Sequence, residues 1–251
     1  LFAVIGVIVF SGLIHGMLGL GFPMVATPML ATMMDVRSAI LVTLLPTMAV
    51  NIASIAGSQS GMETARRFLP LVGFALLGSV IGTSVLALTD PAPFRMLLAG
   101  LILLYLWNGL RVPRQWLEDN QLPAMALFGI GAGLAAGTTN VMVAVLIIYF
   151  LSLETPRSVL VPALNACFLV GKTSQIVVLA IAGLVSLRLA FETTPLAAAA
   201  VIALLLGRRL HSRIAIETYK SILRKLLLLL ALILAYQFLR ETGLLAWPIQ
   251  S

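Results

Sequence analysis

The hydrophobic pattern divides the chain into long apolar segments that are separated by short polar loops. Each segment is continuously apolar, and most approach the roughly 20 residues that a helix needs to cross the hydrocarbon core. The pattern therefore predicts an all-α polytopic membrane protein with about 8–10 membrane segments. Residues 194–207 reach that length only by extending into the flanking loops. The apolar segments are 1–34, 37–57, 68–89, 94–110, 122–153, 158–183, 194–207 and 221–239.

The first apolar segment is too long for one crossing and carries a break. A straight helix from Leu1 to Met34 would measure roughly 50 Å at about 1.5 Å per residue, against a hydrocarbon core about 30 Å thick. Gly19, Gly21 and Pro23 supply the break, because glycine loosens a helix and proline removes a backbone donor. Broken backbone at membrane depth is tolerated only against protein or a water-filled cavity. A polar cavity is therefore expected here.

The two halves of the chain resemble each other, which predicts a duplication. We assign residues 1–121 to a first membrane repeat and residues 122–251 to a second, within one membrane domain. If the chain folds back at each break, more of its loop lysines and arginines lie on one side of the membrane than if each long segment crosses once. This uneven distribution of positive charge favours inverted repeats. The corresponding positions include Gly12 with Gly129, Gly16 with Gly133, Gly19 with Gly137, Arg37 with Arg157, and Gly82 with Gly207.

Composition agrees with this class and excludes others. The chain is 61% hydrophobic and only 10% charged, whereas soluble domains carry about 25% charged residues. The net charge of +7 comes with no basic face rich in aromatics, so nucleic-acid binding is not expected. No nucleophile with an adjacent base, pair of carboxylates or metal-ligand cluster is visible. The sequence therefore predicts neither an enzyme nor a bound metal or cofactor.

Lys172 is the main candidate for chemistry, because it lies midway along the segment 158–183. All nine acidic residues lie in or beside loops, so no carboxylate is expected at that depth. A charged side chain there costs at least about 2.5 kcal/mol on insertion scales. The functional interpretation is that Lys172 binds an anion. The alternatives are that it caps helix carbonyls or extends to the membrane interface.

The other candidates surround the breaks. Half-helices starting at Phe22–Val25 and Thr139–Met142 would direct free amides and positive dipole ends at the cavity, although these residues could equally serve as helix caps. His15 is interpreted as an anion donor, a proton carrier or a neutral residue bonded to a neighbouring helix. The predicted substrate-binding set is Lys172, His15, Gly19, Gly21, Phe22, Pro23, Met24, Gly137, Thr138, Thr139, Asn140, Asn51, Asn165 and Thr173, with Ser54, Ser174 and Gln175 as further polar candidates.

One stretch of the first half carries a family resemblance. The run Gly12-Leu-Ile-His-Gly16-Met-Leu-Gly19-Leu-Gly21, with Ala26-Thr27-Pro28 and Arg37-Ser38-Ala39 after it, resembles the sulfite exporter TauE/SafE family. A weaker copy begins at Gly129-Ile-Gly131-Ala-Gly133. Two departures leave the substrate open. The second break has Gly137 with Thr138 and Thr139 instead of clustered glycines, and Leu146-Ile147 stands where the family often has a proline.

The resemblance implies transport, often export, of sulfite, organosulfonates or other small organic anions across the bacterial inner membrane. We therefore expect a secondary transporter whose two halves expose a midplane pocket alternately. Export is favoured because a monoanion that leaves a negative interior gains about 2.3 kcal/mol per 100 mV. An anion channel and a non-transporting membrane assembly protein are the alternatives. The expected partners are a small anionic solute and the lipid bilayer, while a coupled proton and a homodimer are left open.

Overall fold

The computed structural model describes residues 2–19, 21–56, 66–107, 110–210 and 216–242, and these ranges contain helices without any strand. The all-α class is therefore confirmed. The described helices are α1 (Phe2–Leu18), α2 (Phe22–Ala31), α3 (Val36–Ala56), α4 (Leu69–Leu88), α5 (Ala92–Leu106), α6 (Arg114–Asp119), α7 (Gln121–Thr139), α8 (Val143–Ser152), α9 (Arg157–Ile181), α10 (Leu187–Leu210) and α11 (Ile216–Glu241).

Five of the described helices are long and apolar enough to cross a membrane by length and composition, namely α3, α4, α7, α9 and α10. Shorter apolar helices of 10–17 residues are α1, α2, α5 and α8. Helix α10 extends beyond the apolar segment 194–207 at both ends, which supplies the length that this segment lacks. Helix α6 was not predicted, because it lies in a polar stretch that reads as a loop.

The first break lies where it was expected. Gly19 has φ +79° and Gly21 has φ +107°, backbone conformations that residues with a Cβ rarely adopt. Helix α2 then begins at Phe22 with Pro23 in its first turn. Proline is tolerated there because its missing N–H has no partner within the helix.

The second break lies later than predicted. Helix α7 continues to Thr139, Asn140 adopts a left-handed conformation with φ 66°, and α8 starts at Val143. The hydroxyls of Thr138 and Thr139 donate to the carbonyls four residues before them, which continues α7 through both positions. These threonines therefore belong to a helix C-terminus, and the half-helix begins only at the end of the predicted range Thr139–Met142, with Met142 as its N-cap.

Two helix pairs, α1 with α10 and α4 with α7, pack backbone against backbone through glycines. A methyl group built on Gly16 would lie 2.1 Å from the carbonyl oxygen of Leu204, and one built on Gly133 would lie 2.2 Å from that of Ala75. Such closeness requires small residues, as is common where membrane helices pack. Both pairs are parallel because the contacts advance together along both helices. These contacts are Gly12 with Ala200, Gly16 with Leu204, Gly129 with Leu71, and Gly133 with Ala75.

Helices α4 and α10 end at opposite ends of α3. Arg37, at the start of α3, donates to the Leu86 carbonyl near the end of α4. Arg208, near the end of α10, donates to the Ala53 carbonyl near the end of α3. Helix α3 has 21 residues and so spans about 31 Å. Because α1 is parallel to α10 and α7 is parallel to α4, the two helices that precede the breaks run in opposite directions.

Candidate functional site

Lys172 lies inside the protein, on α9, and is 4% exposed. Its ammonium donates to Asn140 Oδ1 and Gln175 Oε1, both at 2.5 Å. An ammonium has three N–H donors, and the third makes no hydrogen bond to any described residue. Within the described ranges, no acidic side chain forms an ion pair with Lys172. Its partners are side-chain amides, so Lys172 does not cap helix carbonyls. Its ammonium is buried, so the side chain does not extend to the membrane interface.

The side-chain amide of Asn140 is the first of these partners, and two threonines hold it in place. Its Nδ2 donates to Thr27 Oγ1 at 3.0 Å and to Thr43 Oγ1 at 3.1 Å, which leaves Oδ1 directed at Lys172. The left-handed backbone of Asn140, a conformation that asparagine tolerates better than most residues, ends α7 at this point. One side chain thus connects α2 and α3 of the first half with α7 and α9 of the second.

The side-chain amide of Gln175, one turn after Lys172 on α9, is the second partner. Its Nε2 donates to the carbonyls of Ala136 and Gly137 at 3.3 and 3.2 Å. The Ala136 carbonyl also accepts from the Asn140 N–H, whereas carbonyls closer to a helix end have no partner within the helix, so Gln175 caps α7 through Gly137. Both oxygens that contact Lys172 are therefore held in place by other hydrogen bonds. They are neutral dipoles, and they leave the formal charge of the ammonium uncompensated.

His15 is held between three helices. Its Nδ1 accepts from the Phe22 N–H at 3.2 Å, so Nε2 carries the proton and lies 2.9 Å from Ser54 Oγ. This geometry agrees with the interpretation of His15 as a neutral residue bonded to neighbouring helices. It also occupies the amide of Phe22, and Pro23 has no amide hydrogen. The start of α2 therefore offers a ligand no free donor at these two positions, while Met24 is buried with 2% exposure.

Asn51 and Asn165 are buried and incompletely paired. Neither Asn51 Nδ2 nor Asn51 Oδ1 has a hydrogen-bond partner among the described residues. Asn165 Nδ2 donates to the Gly19 carbonyl at 3.4 Å, whereas its Oδ1 has no such partner. Buried polar atoms are normally satisfied by protein or water. These atoms are therefore available to form hydrogen bonds with water or a polar solute.

Two predicted site residues contribute no side-chain contact to Lys172, although the carbonyl of one of them, Gly137, accepts from Gln175. Thr173 is on the exposed side of α9, and its hydroxyl donates to the Leu169 carbonyl. Gly137 packs against α4, since a methyl group built on it would lie 2.5 Å from the Thr83 nitrogen. We leave both out of the proposed site.

Two residues of the Lys172 network, Thr27 and Thr43, are absent from the predicted set. Thr43 could have been found from its spacing, because it precedes Asn51 by eight residues and Ser54 by eleven. Residues at such intervals share one face of a helix. Thr27 lies within the Ala26-Thr27-Pro28 motif but has no comparable signal.

Comparison with known proteins gives one family. The family model described as Sulfite exporter TauE/SafE matches residues 4–238. The matched residues include both breaks, Lys172 and most of α11. No curated protein and no solved structure matches the chain. The match supports membrane transport of anions and agrees with a role that is not enzymatic.

Proposed function

Because the chain belongs to the sulfite exporter TauE/SafE family, we propose that it is a secondary transporter that exports a small anion such as sulfite, an organosulfonate or a related organic acid. We place it in the bacterial inner membrane as a multi-pass protein. The observation that carries the proposal is the buried Lys172 ammonium, which has two neutral acceptors and no acidic partner among the described residues.

The proposed site is the unused N–H of Lys172 together with the space that it faces. An anion whose centre of charge lies about 4 Å from the ammonium nitrogen gains roughly 4 kcal/mol at the effective dielectric constant of about 20 that suits partly buried pairs. Asn140 and Gln175 keep the ammonium in position without neutralising it. One fixed cation matches one negative charge, which favours a monoanion or a singly charged group of a larger solute.

Alternating access is the proposed mechanism. We propose that residues 1–121 and 122–251 are inverted repeats, which is supported by the opposite directions of α1 and α7. Asn140 bonds to Thr27 and Thr43 on one side and to Lys172 on the other. A substrate that draws Lys172 away from Asn140 would weaken this link between the halves and so favour their relative rocking.

Export needs no coupling ion in this proposal. A monoanion leaving a negative interior gains about 2.3 kcal/mol per 100 mV of membrane potential. His15 is the mid-depth group most suited to carry a proton, but both of its ring nitrogens are engaged. We therefore favour uniport over proton coupling.

The proposal is tested by flux in proteoliposomes that contain the purified protein. Lys172→Gln removes the charge and keeps a polar side chain, and we expect it to reduce uptake of radiolabelled sulfite and ethanesulfonate at least tenfold. Lys225→Gln makes the same exchange at an exposed position of α11 and should leave flux unchanged.

Saturating flux with counterflow supports a transporter, whereas flux that neither saturates nor shows counterflow would favour the channel alternative. Unchanged flux in Lys172→Gln would remove this residue from the site.

A further inference from the structure

Four polar side chains form a buried stripe along α3. Thr43, Thr47, Asn51 and Ser54 follow each other at intervals of four, four and three residues, which places them on one face of the helix. Their exposures are between 0% and 8%. We call these four residues the α3 polar stripe. It extends about 16 Å along the helix, at about 1.5 Å per residue.

The middle of the α3 polar stripe is unpaired. Several other buried hydroxyls donate to the carbonyl one turn before them, as Ser11 does to Val7 and Thr43 does to Ala39. Thr47 Oγ1 makes no such bond, and both polar atoms of Asn51 also lack a partner among the described residues. A helix provides a hydroxyl with an easy internal partner. Leaving three adjacent polar atoms unpaired is typical of groups that face water or a solute.

A cationic side chain lies near each end of the α3 polar stripe. At one end, Thr43 contacts Asn140, which contacts Lys172. At the other end, the guanidinium of Arg208 donates to the Ser54 carbonyl at 3.4 Å. Arg208 is exposed, whereas Lys172 is buried. The stripe therefore connects a surface cation with the buried one.

Helix α9 supplies the facing wall. It packs against α3 in the opposite direction, with Lys172 near Thr43 and Asn165 near the first break, beside Gly19. Asn165 Oδ1 also has no hydrogen-bond partner within the described ranges. Among the residues that the structure describes, polar atoms on both walls of this α3–α9 interface thus lack a hydrogen-bond partner, and these atoms lie between the two cations.

We infer that the α3–α9 interface is the path by which the anion moves between Lys172 and the membrane face at which α3 ends, with Arg208 at its mouth. This inference rests on the proposed function. Hydroxyl and amide N–H donors suit an anion that has left water, because they replace its hydration without binding it as tightly as a second buried cation would. The buried stripe corresponds to a closed path in this conformation.

Cysteine labelling tests the path. In a Cys167→Ala background, Thr47→Cys and Asn51→Cys are exposed in proteoliposomes to the anionic reagent sulfonatoethyl methanethiosulfonate. We expect both to be labelled at least tenfold faster than Ile52→Cys, the matched control on the outer side of α3, where the residue is 49% exposed to the surroundings. Ethanesulfonate should slow the labelling, and labelling should reduce flux only in the two stripe variants.

A second variant separates the path from the proposed site. When Lys172→Gln is added to Asn51→Cys, we expect labelling to persist while protection by ethanesulfonate is lost. Persistent protection would contradict the role of Lys172 and leave the path intact. Labelling of Thr47→Cys and Asn51→Cys no faster than that of Ile52→Cys, in protein that elutes as a single species, would overturn the path whatever the result at Lys172.

Discussion

Replacing Asn140 by aspartate would give Lys172 a charged partner and keep the oxygen that it already contacts. Aspartate has nearly the same shape as asparagine and also tolerates the left-handed backbone of this position. The hydroxyls of Thr27 and Thr43 can rotate to donate to the new carboxylate, since each carries a hydrogen. The change is therefore an electrostatic one with little steric cost.

The magnitude follows from the contact distances. Asn140 Oδ1 lies 2.5 Å from Lys172 Nζ, and an anion on the unused N–H would lie about 2.8 Å from the same nitrogen. With tetrahedral geometry, the anion and the carboxylate oxygen are roughly 4 Å apart. Two like charges at that distance repel by about 4 kcal/mol at an effective dielectric constant of about 20. Because 1.4 kcal/mol corresponds to a tenfold change in affinity, binding should weaken about a thousandfold.

The assay is equilibrium binding of ethanesulfonate and sulfite to purified protein, followed by calorimetry and by ligand-induced thermal shift. Asn120→Asp, at the polar junction between α6 and α7, is the matched control and should bind like the wild type. Binding by Asn140→Asp within threefold of the wild type, in protein that remains folded, would contradict an anion site on the Lys172 ammonium. Loss of binding in both variants would point to a general effect of added negative charge.

Two further predictions concern the fold. Gly133→Ala should lower the melting temperature in detergent, because the new methyl group would lie 2.2 Å from the Ala75 carbonyl oxygen and overpacking costs about 1–3 kcal/mol. Gly100→Ala is the control and should leave the melting temperature unchanged, because a methyl group there would have no described atom of another residue within 4 Å. Equal melting temperatures for the two variants would contradict the close packing of α4 on α7. Asp35 caps α3: partial burial raises its pKa, but hydrogen bonds from Ser38 outweigh this and hold the pKa below its ordinary value of 3.8. Asp35→Ala should therefore lower the free energy of unfolding by about 1 kcal/mol at neutral pH. The difference in stability between this variant and the wild type, measured by thermal unfolding, should persist down to about pH 3.8 and shrink below that pH. A difference that is unchanged at low pH would contradict the role of Asp35 as a cap.

The apolar pattern predicted most of the helices because their physical requirement is local. A segment that lies in lipid must be apolar along its length and must satisfy its backbone internally. The first break was predictable for the same reason, since Gly19, Gly21 and Pro23 act on their own backbone. The second break was placed too early because Thr138 and Thr139 bond backwards and extend α7, and because Asn140 takes a conformation usually associated with glycine.

The site was predictable only in part. The depth of Lys172 follows from its position in an apolar run, and Asn140 and Gln175 stood among the polar candidates. The role of Thr43 depends on packing between helices that lie about a hundred residues apart in the chain, as its contact with Asn140 shows. The spacing of Thr43 can place it on a polar face of α3, but its contact with Asn140 has no signal in one sequence. The pairing of α1 with α10 also joins distant segments, and the glycine spacing alone could not identify the partner helix.

The proposed function depends on contact between a solute anion and the ammonium of Lys172. It is tested most directly by a crystal structure with 2-bromoethanesulfonate, whose bromine gives an anomalous signal that locates the ligand. We expect a sulfonate oxygen about 3 Å from Lys172 Nζ and a bromine peak within the α3–α9 interface. A ligand bound elsewhere, with Lys172 still held by Asn140 and Gln175 alone, would contradict it.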